Sequence, residues 1–270
     1  MYPVNSLNSM PSSLLDYFPE AEGDGLRVTW ARATNNKARL ATGLRSSANL
    51  IEGDVSMSCN SRYPVPIMSP SATVPSDLTL EEWLQELLRY NNKGIQLNFQ
   101  STEVVEPACR VLARVADHLR GPIVLNADIQ LGPHSSSAIP VDAWTFLTLC
   151  RTRFPRSIIS IGWTTDVLPS TYLKIGYTRE YIDRMVALVK EYTLIQPVMF
   201  PVHASLLKYS IPEMQRLLFQ VPNSSLCVWS TKANPIESID ELLTIRKSFN
   251  IGQVFYKLPH EQLECFFSNT

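Results

Sequence analysis

The sequence is short of the features that usually announce a chemistry. Its five cysteines (Cys59, Cys109, Cys150, Cys227, Cys265) are an odd count, widely spaced and without a C-x-x-C pair, so neither a zinc knuckle nor a disulfide framework is indicated. Cys109, Cys150 and Cys227 fall within apolar patterns and read as buried, reduced thiols. No run of about 18 apolar residues occurs, which argues against a transmembrane span. The first residues carry neither a basic segment nor a long apolar one, so no signal peptide is evident and a cytoplasmic location is the default expectation. Lysine and arginine are dispersed and the formal net charge is −1, which gives no electrostatic case for nucleic acid or an anionic membrane surface. There is no G-x-G-x-x-G after a strand and no G-x-S-x-G elbow, which disfavours dinucleotide binding and serine hydrolase chemistry. Histidine is scarce, with four in 270 residues. His118, His134 and His260 read as surface or capping residues, and only His203 closes an apolar strand.

What is present is periodicity. Hydrophobic residues make up 45% of the chain, ample for a large core. Strand-like runs recur at 27–31, 49–55, 94–99, 122–129, 158–164, 197–204, 224–230 and 253–258. Helix-compatible segments lie between them, at 35–46, 79–90, 102–119, 141–153, 178–192, 204–219 and 236–249, with a short closing one near 259–267. Strands alternating with helices imply parallel βαβ units. Eight such repeats in about 250 residues predict an α/β fold, a (β/α)8 TIM barrel, with an open α/β sheet as the alternative. Residues 1–24 read as a lead-in whose Leu14-Leu15-Asp16-Tyr17-Phe18 covers the barrel bottom, and 25–270 as one domain. The irregular stretch 56–77, rich in Pro and Ser, would lie over the top.

Barrel chemistry comes from the C-terminal ends of strands. There the second strand delivers Glu52 and Asp54, which share a face because side chains alternate along a strand. Gln96 and Asn98 point inward from the third, and Asn126 and Asp128 repeat the pattern on the fourth. Buried acids are costly unless a metal, a cation or hydrogen-bond donors meet them. Oxygen ligands such as Glu52, Asp54, Asn98 and Asp128 suit Mg²⁺ or Ca²⁺. The other reading is a polar network that fixes the interior, with Arg32 or Lys232 neutralising the acids. Trp163 and Trp229 end strands and would wall a pocket. Tyr256 and Lys257 stand at the end of the last strand.

Several strings extend this reading. Val-Thr-Trp-Ala-Arg-Ala-Thr-Asn-Asn-Lys (28–37), Leu-Ile-Glu-Gly-Asp-Val (50–55), Pro-Ile-Met-Ser-Pro (66–70) and Lys-Gly-Ile-Gln-Leu-Asn-Phe (93–99) resemble the menorin family, also called family with sequence similarity 151. Asn-Ala-Asp-Ile (126–129), Ser-Ile-Gly-Trp-Thr-Thr (160–165), Phe-Pro-Val-His-Ala (200–204) and Val-Phe-Tyr (254–256) continue the match in order. That family is similar to glycerophosphodiester phosphodiesterases and phospholipase-C-like TIM barrels. The resemblance implies two histidines as general acid and base, and a Glu-x-Asp pair that helps hold a divalent metal.

This sequence keeps Glu52 and Asp54 but departs at the proton-transfer positions. Arg32 stands where the resemblance implies one histidine, and Pro70 where it implies the other. The usual Lys-Leu-Asp is Gln96-Leu97-Asn98. An arginine stays protonated and cannot shuttle protons, and proline has no side-chain chemistry. Three outcomes follow. One is a catalytically impaired barrel binding a phosphate-bearing or other anionic, phospholipid-derived ligand through Arg32, Gln96, Lys232, Trp163 and Trp229. Another is a phosphodiesterase in which His203 supplies acid–base chemistry and Arg32 grips phosphate. The last is an adaptor that uses only its outer surface.

Overall fold

The computed structural model describes residues 13–59, 62–133, 138–165, 176–233, 235–236 and 238–270. His134 lies outside them. The strands form where alternation places them: β1 (Trp30–Ala31), β2 (Leu50–Met57), β4 (Gly94–Phe99), β5 (Ile123–Leu131), β6 (Ile158–Thr164), β7 (Val198–His203), β8 (Ser224–Trp229) and β9 (Val254–Lys257). One further strand, β3 (Pro66–Met68), pairs antiparallel with β2 inside the stretch expected to be irregular. Three residues are too few to show a period, so sequence alternation passes over it.

The order is β1-β2-β4-β5-β6-β7-β8-β9, with every neighbouring pair parallel. This is a nearly closed eight-stranded parallel barrel with helices outside it, a TIM barrel. The seam between β9 and β1 is stitched by a side chain: Arg32 donates through Nη1 to the carbonyls of Ser230 (3.0 Å) and Lys257 (2.9 Å).

Helices α1 (Lys37–Arg45), α2 (Leu80–Tyr90), α3 (Thr102–Ala113), α4 (Ala143–Arg153), α5 (Arg179–Glu191), α7 (Ile211–Gln220) and α8 (Ile239–Ser248) cover the strands. Their boundaries follow capping chemistry. Thr79 and Glu82 close a reciprocal capping box at α2, and Ser238 caps α8. Leu80, Trp83, Leu84 and Leu87 then bury one stripe of α2. The helix expected from Val141 begins at Ala143, because Asp142 accepts from Thr145 N. The helix expected over 204–219 is broken into α6 (Ala204–Leu207) and α7, where Pro212 sits in the first turn of a new helix.

The outward faces of the strands and the helices share one core, including Ile95, Leu97 and Phe99 of β4. A second, smaller core fills the bottom of the barrel: Leu50, Val124, Ile158, Met199, Cys227 and Phe255 from the strands, with Leu14 and Phe18 from the lead-in. These inner residues fix the register of everything above them. Two residues further along each strand, the same face carries Glu52, Asn126, Ser160, Pro201, Trp229 and Lys257.

Candidate functional site

Gly53 makes room for the acid pair's strand. A Cβ there would sit 2.3 Å from the Met68 methyl carbon and 3.4 Å from the Trp83 ring, so a larger residue would have to push the end of the Met68 side chain off the back of β2. Glu52 and Asp54 thereby face the lumen, paired in register with Gln96 and Asn98.

The acids are answered from within. Lys257 Nζ lies 2.8 Å from Glu52 Oε1, and both side chains are more than nine-tenths buried. Asn98 Nδ2 donates to Glu52 Oε1 (2.8 Å) and to Asp54 Oδ1 (3.0 Å). Asn35 donates through Nδ2 to Asp54 Oδ2 at 2.7 Å and accepts from Asp54 N at 2.8 Å. Burial alone would raise the Glu52 carboxyl, but Lys257, Arg32 and Asn98 together hold it below the usual carboxylate range. Asp54 lies above that range because burial and the Glu52 charge outweigh the amide donors.

The direction of the amide bonds is fixed by one residue. Trp30 Nε1 can only donate, and it donates to Gln96 Oε1 at 3.0 Å. Gln96 must then donate through Nε2 to Asn98 Oδ1, 2.9 Å away. Asn98 is left to present its NH₂ to both acids. A divalent cation needs oxygen at that position. The ammonium and the amide already stand where a cation would bind, and among the described residues no three His, Cys, Asp or Glu side chains group as a metal site. With Lys257 on Glu52 Oε1 and Asn98 turned nitrogen-first, the donor set of Glu52, Asp54, Asn98 and Asp128 does not fit the metal that the resemblance implies; the one oxygen of the acid pair left without a hydrogen bond among the described residues is Glu52 Oε2.

The remaining expected residues separate into two groups. Arg32 is in the site, its Nε 4.0 Å from Glu52 Oε2 and its side chain 31% exposed at the mouth. Among the described residues its Nη2 makes no hydrogen bond. Trp229 lines the lumen with its ring edge-on to His203, centroids 4.5 Å apart. Trp163 does not join them: it shares the outward face of β6 with Ile159 and Ile161, in strict alternation from inward Ile158, and packs in the outer core against Tyr177 and Phe200. Lys232 does not either, being 80% exposed beside Glu261 (3.8 Å). Lys257 takes the cationic place expected of Lys232. The period of two from Phe255, which is inward, is the signal that finds it. Tyr256, between them, faces outward onto Phe266.

Asp128 differs from the other acids. Gly162 faces it across the β5–β6 pair, and a Cβ there would meet Asp128 Oδ1 and Pro201 Cγ at 2.7 Å each. The carboxyl reaches solvent in the lumen and makes no hydrogen bond to the described residues. Crowding by surrounding protein raises its pKa to about 7, against the lowering pull of Lys257. His203 Nδ1 lies 2.7 Å from Ser205 Oγ, while Nε2 is buried without a partner. Burial lowers the His203 pKa to about 4, so the ring is neutral at ordinary pH. His203 and Arg32 stand on separate walls and make no contact with each other. Beside Asp54, a hollow of about 580 Å³ is lined by Asn35, Arg39, Ser69, Pro70, Ser76 and Asp77 among others, so Pro70 borders space rather than chemistry.

Sequence comparison agrees with this architecture. The family model of the Menorin N-terminal domain matches residues 24–263. The chain belongs to the menorin family. It is similar to Protein FAM151B of Homo sapiens, with 38% identity over 259 residues that cover 94% of this chain and 92% of that protein. In fold it is similar to a glycerophosphodiester phosphodiesterase from Parabacteroides distasonis, with a TM-score of 0.52 at 11% identity, covering 91% of this chain and 98% of that one. The menorin chain thus shares the TIM-barrel fold of that enzyme, and its own Lys257 and Asn98 take up the carboxylates of its Glu-x-Asp pair.

Proposed function

We propose that this menorin barrel binds a phosphate-bearing or other anionic small ligand at its C-terminal mouth without cleaving it. The observation that carries the reading is the state of Arg32. Its Nη1 is spent on the seam, which fixes the guanidinium, while Nη2 remains uncommitted at the mouth. A pre-oriented guanidinium is well matched to phosphate or carboxylate oxygens. Lys257 lies behind it, and its pairing with Glu52 leaves the acid pair little net repulsion toward an anion. Against turnover stand Arg32 and Pro70 at the expected proton-transfer positions, and His203, which is set apart from Arg32 by β8 and β9 and shares no hydrogen bond with it. General acid–base catalysis needs a group within hydrogen-bond reach of the reacting atoms.

The test is thermal unfolding with inorganic phosphate, together with an assay of bis(p-nitrophenyl) phosphate hydrolysis. A ligand that binds only the native state stabilises it by about 2.7 kcal/mol at 100 times Kd. We expect a saturable rise in Tm with phosphate, its loss in Arg32→Gln, its partial retention in Arg32→Lys, and no release of p-nitrophenolate. Absence of any phosphate shift, or turnover that disappears in Glu52→Gln, would overturn the proposal.

A further inference from the structure

The wall formed by β5, β6 and β7 carries polar groups that the anion-binding reading does not use. Met199 and Ile158 point into the bottom core, so strand alternation sends His203 and Thr164 to the same inner face several residues higher. Asp128 shares that face and reaches the lumen, where Gly162 leaves it space. Tyr177 braces the wall from behind, its hydroxyl accepting from His203 N at 3.0 Å. Thr164 Oγ1 and His203 Nε2 are both buried, on residues 4% and 3% exposed, and neither has a hydrogen-bond partner. Lys257 is engaged with Glu52 on the far wall, so no cation of the described chain hydrogen-bonds to Asp128.

Unpaired buried polar groups are costly, and their persistence beside an open acid calls for a partner from outside the chain. The groups present are mostly acceptors. Asp128 offers two oxygens and Thr164 a hydroxyl. His203 offers Nε2 when Nδ1–H donates to Ser205. An entering group that satisfies all three must carry several N–H or O–H bonds, and the carboxylate favours one with positive charge.

We infer that Asp128, Thr164 and His203 form a second subsite, which takes the primary ammonium group of a small organic ligand. The inference rests on the reading of the mouth as a ligand site but uses the wall opposite Arg32. Asp128 is the first contact, since its carboxyl is already in the lumen. Thr164 and His203 stand nearer the strand ends, since Asp128 pairs with Gly162 and Leu131 with Thr164, and their unpaired atoms are reached only by a group that enters the wall beside Asp128.

Ethylammonium and ethylene glycol serve as separate probes, followed by saturation-transfer NMR on the whole protein at constant ionic strength, and inorganic phosphate is followed by the thermal-unfolding titration. Ethylammonium should bind saturably. Asp128→Asn should weaken it at least about tenfold, as expected for loss of a charge-assisted bond. Thr164→Val should leave the free protein as stable as wild type or more so, yet weaken ethylammonium measurably. Asp128→Ser, which withdraws the side chain from the notch at Gly162, guards against a folding defect in the isosteric asparagine variant. Ethylammonium binding that survives both Asp128 substitutions overturns the inference, as does a preference for ethylene glycol, which would make the wall a polyol subsite. Phosphate binding without ethylammonium binding defeats this inference alone. Ethylammonium binding without phosphate binding supports it and defeats the anion reading instead.

Discussion

The two walls of the barrel mouth are built from the same kinds of residue and treat them oppositely. On the β1–β2–β4–β9 side, Glu52 and Asp54 are met by Lys257, Asn98 and Asn35, Trp30 sets the direction of the amide chain, and one carboxylate oxygen, Glu52 Oε2, is left without a hydrogen bond among the described residues, 4.0 Å from Arg32 Nε. On the β5–β7 side, Asp128 has no hydrogen-bonding partner among the described residues, and Thr164 and His203 leave buried atoms unpaired. A satisfied network specifies structure, and an unsatisfied one asks for something from outside. The conspicuous acid pair is scaffold, and the less conspicuous acid faces the lumen.

The sharpest way to break this contrast is to remove the cation. Lys257→Met should destabilise the protein by about 3–5 kcal/mol in denaturant unfolding, because it leaves Glu52 buried and uncompensated. A loss under about 1 kcal/mol would mean the pair is not the scaffold described. Next in size, Gly162→Ala should cost about 1–3 kcal/mol, since the added methyl meets Asp128 and Pro201 at 2.7 Å. An unchanged Tm would show that the notch beside Asp128 is not tight.

The walls should also respond to pH with opposite signs. Glu52 has a lowered folded-state pKa, so its contribution is present above the ordinary carboxylate range and is lost as pH falls. Asp128 has a raised one, from 3.8 to about 7, so the folded state holds its proton more tightly and stability drops as pH rises through that window. Asp128→Asn removes the penalty. Because the carboxyl touches water, the gain at pH 8 should be modest, about 2–4 °C in Tm, the shift that about 1 kcal/mol gives in a chain near this size. No difference is expected near pH 4, and a variant less stable than wild type at pH 8 would contradict the assignment. Smallest of all, Lys232→Ala should change stability by less than about 0.5 kcal/mol and leave any phosphate-dependent shift intact. Loss of that shift would return Lys232 to the site.

Much of the barrel was legible because the strand period of two is strict. It gave β4 and β6 their bounds and sent Gln96 and Asn98 inward. What it missed has physical reasons. Its place at the end of β6 suggests Trp163 for the pocket, whereas the period of two from inward Ile158 sends it outward. The three residues of β3 carry no period at all. Lys257 was visible as a residue but not as the partner of Glu52, because closure of a barrel brings together side chains 205 positions apart. Trp30 poses the same difficulty: nothing local says that its indole orients two amides on another strand.

The most direct test of the account is a titration of Mg²⁺ and of Ca²⁺ followed by the Tm of the unaltered protein. If Lys257 and Asn98 fill the place of a cation, Tm should stay flat for both ions apart from a small ionic-strength drift common to NaCl. A saturable rise specific to either ion, and abolished in Glu52→Gln, would mean that the acid pair still holds a metal and that the scaffold reading is wrong.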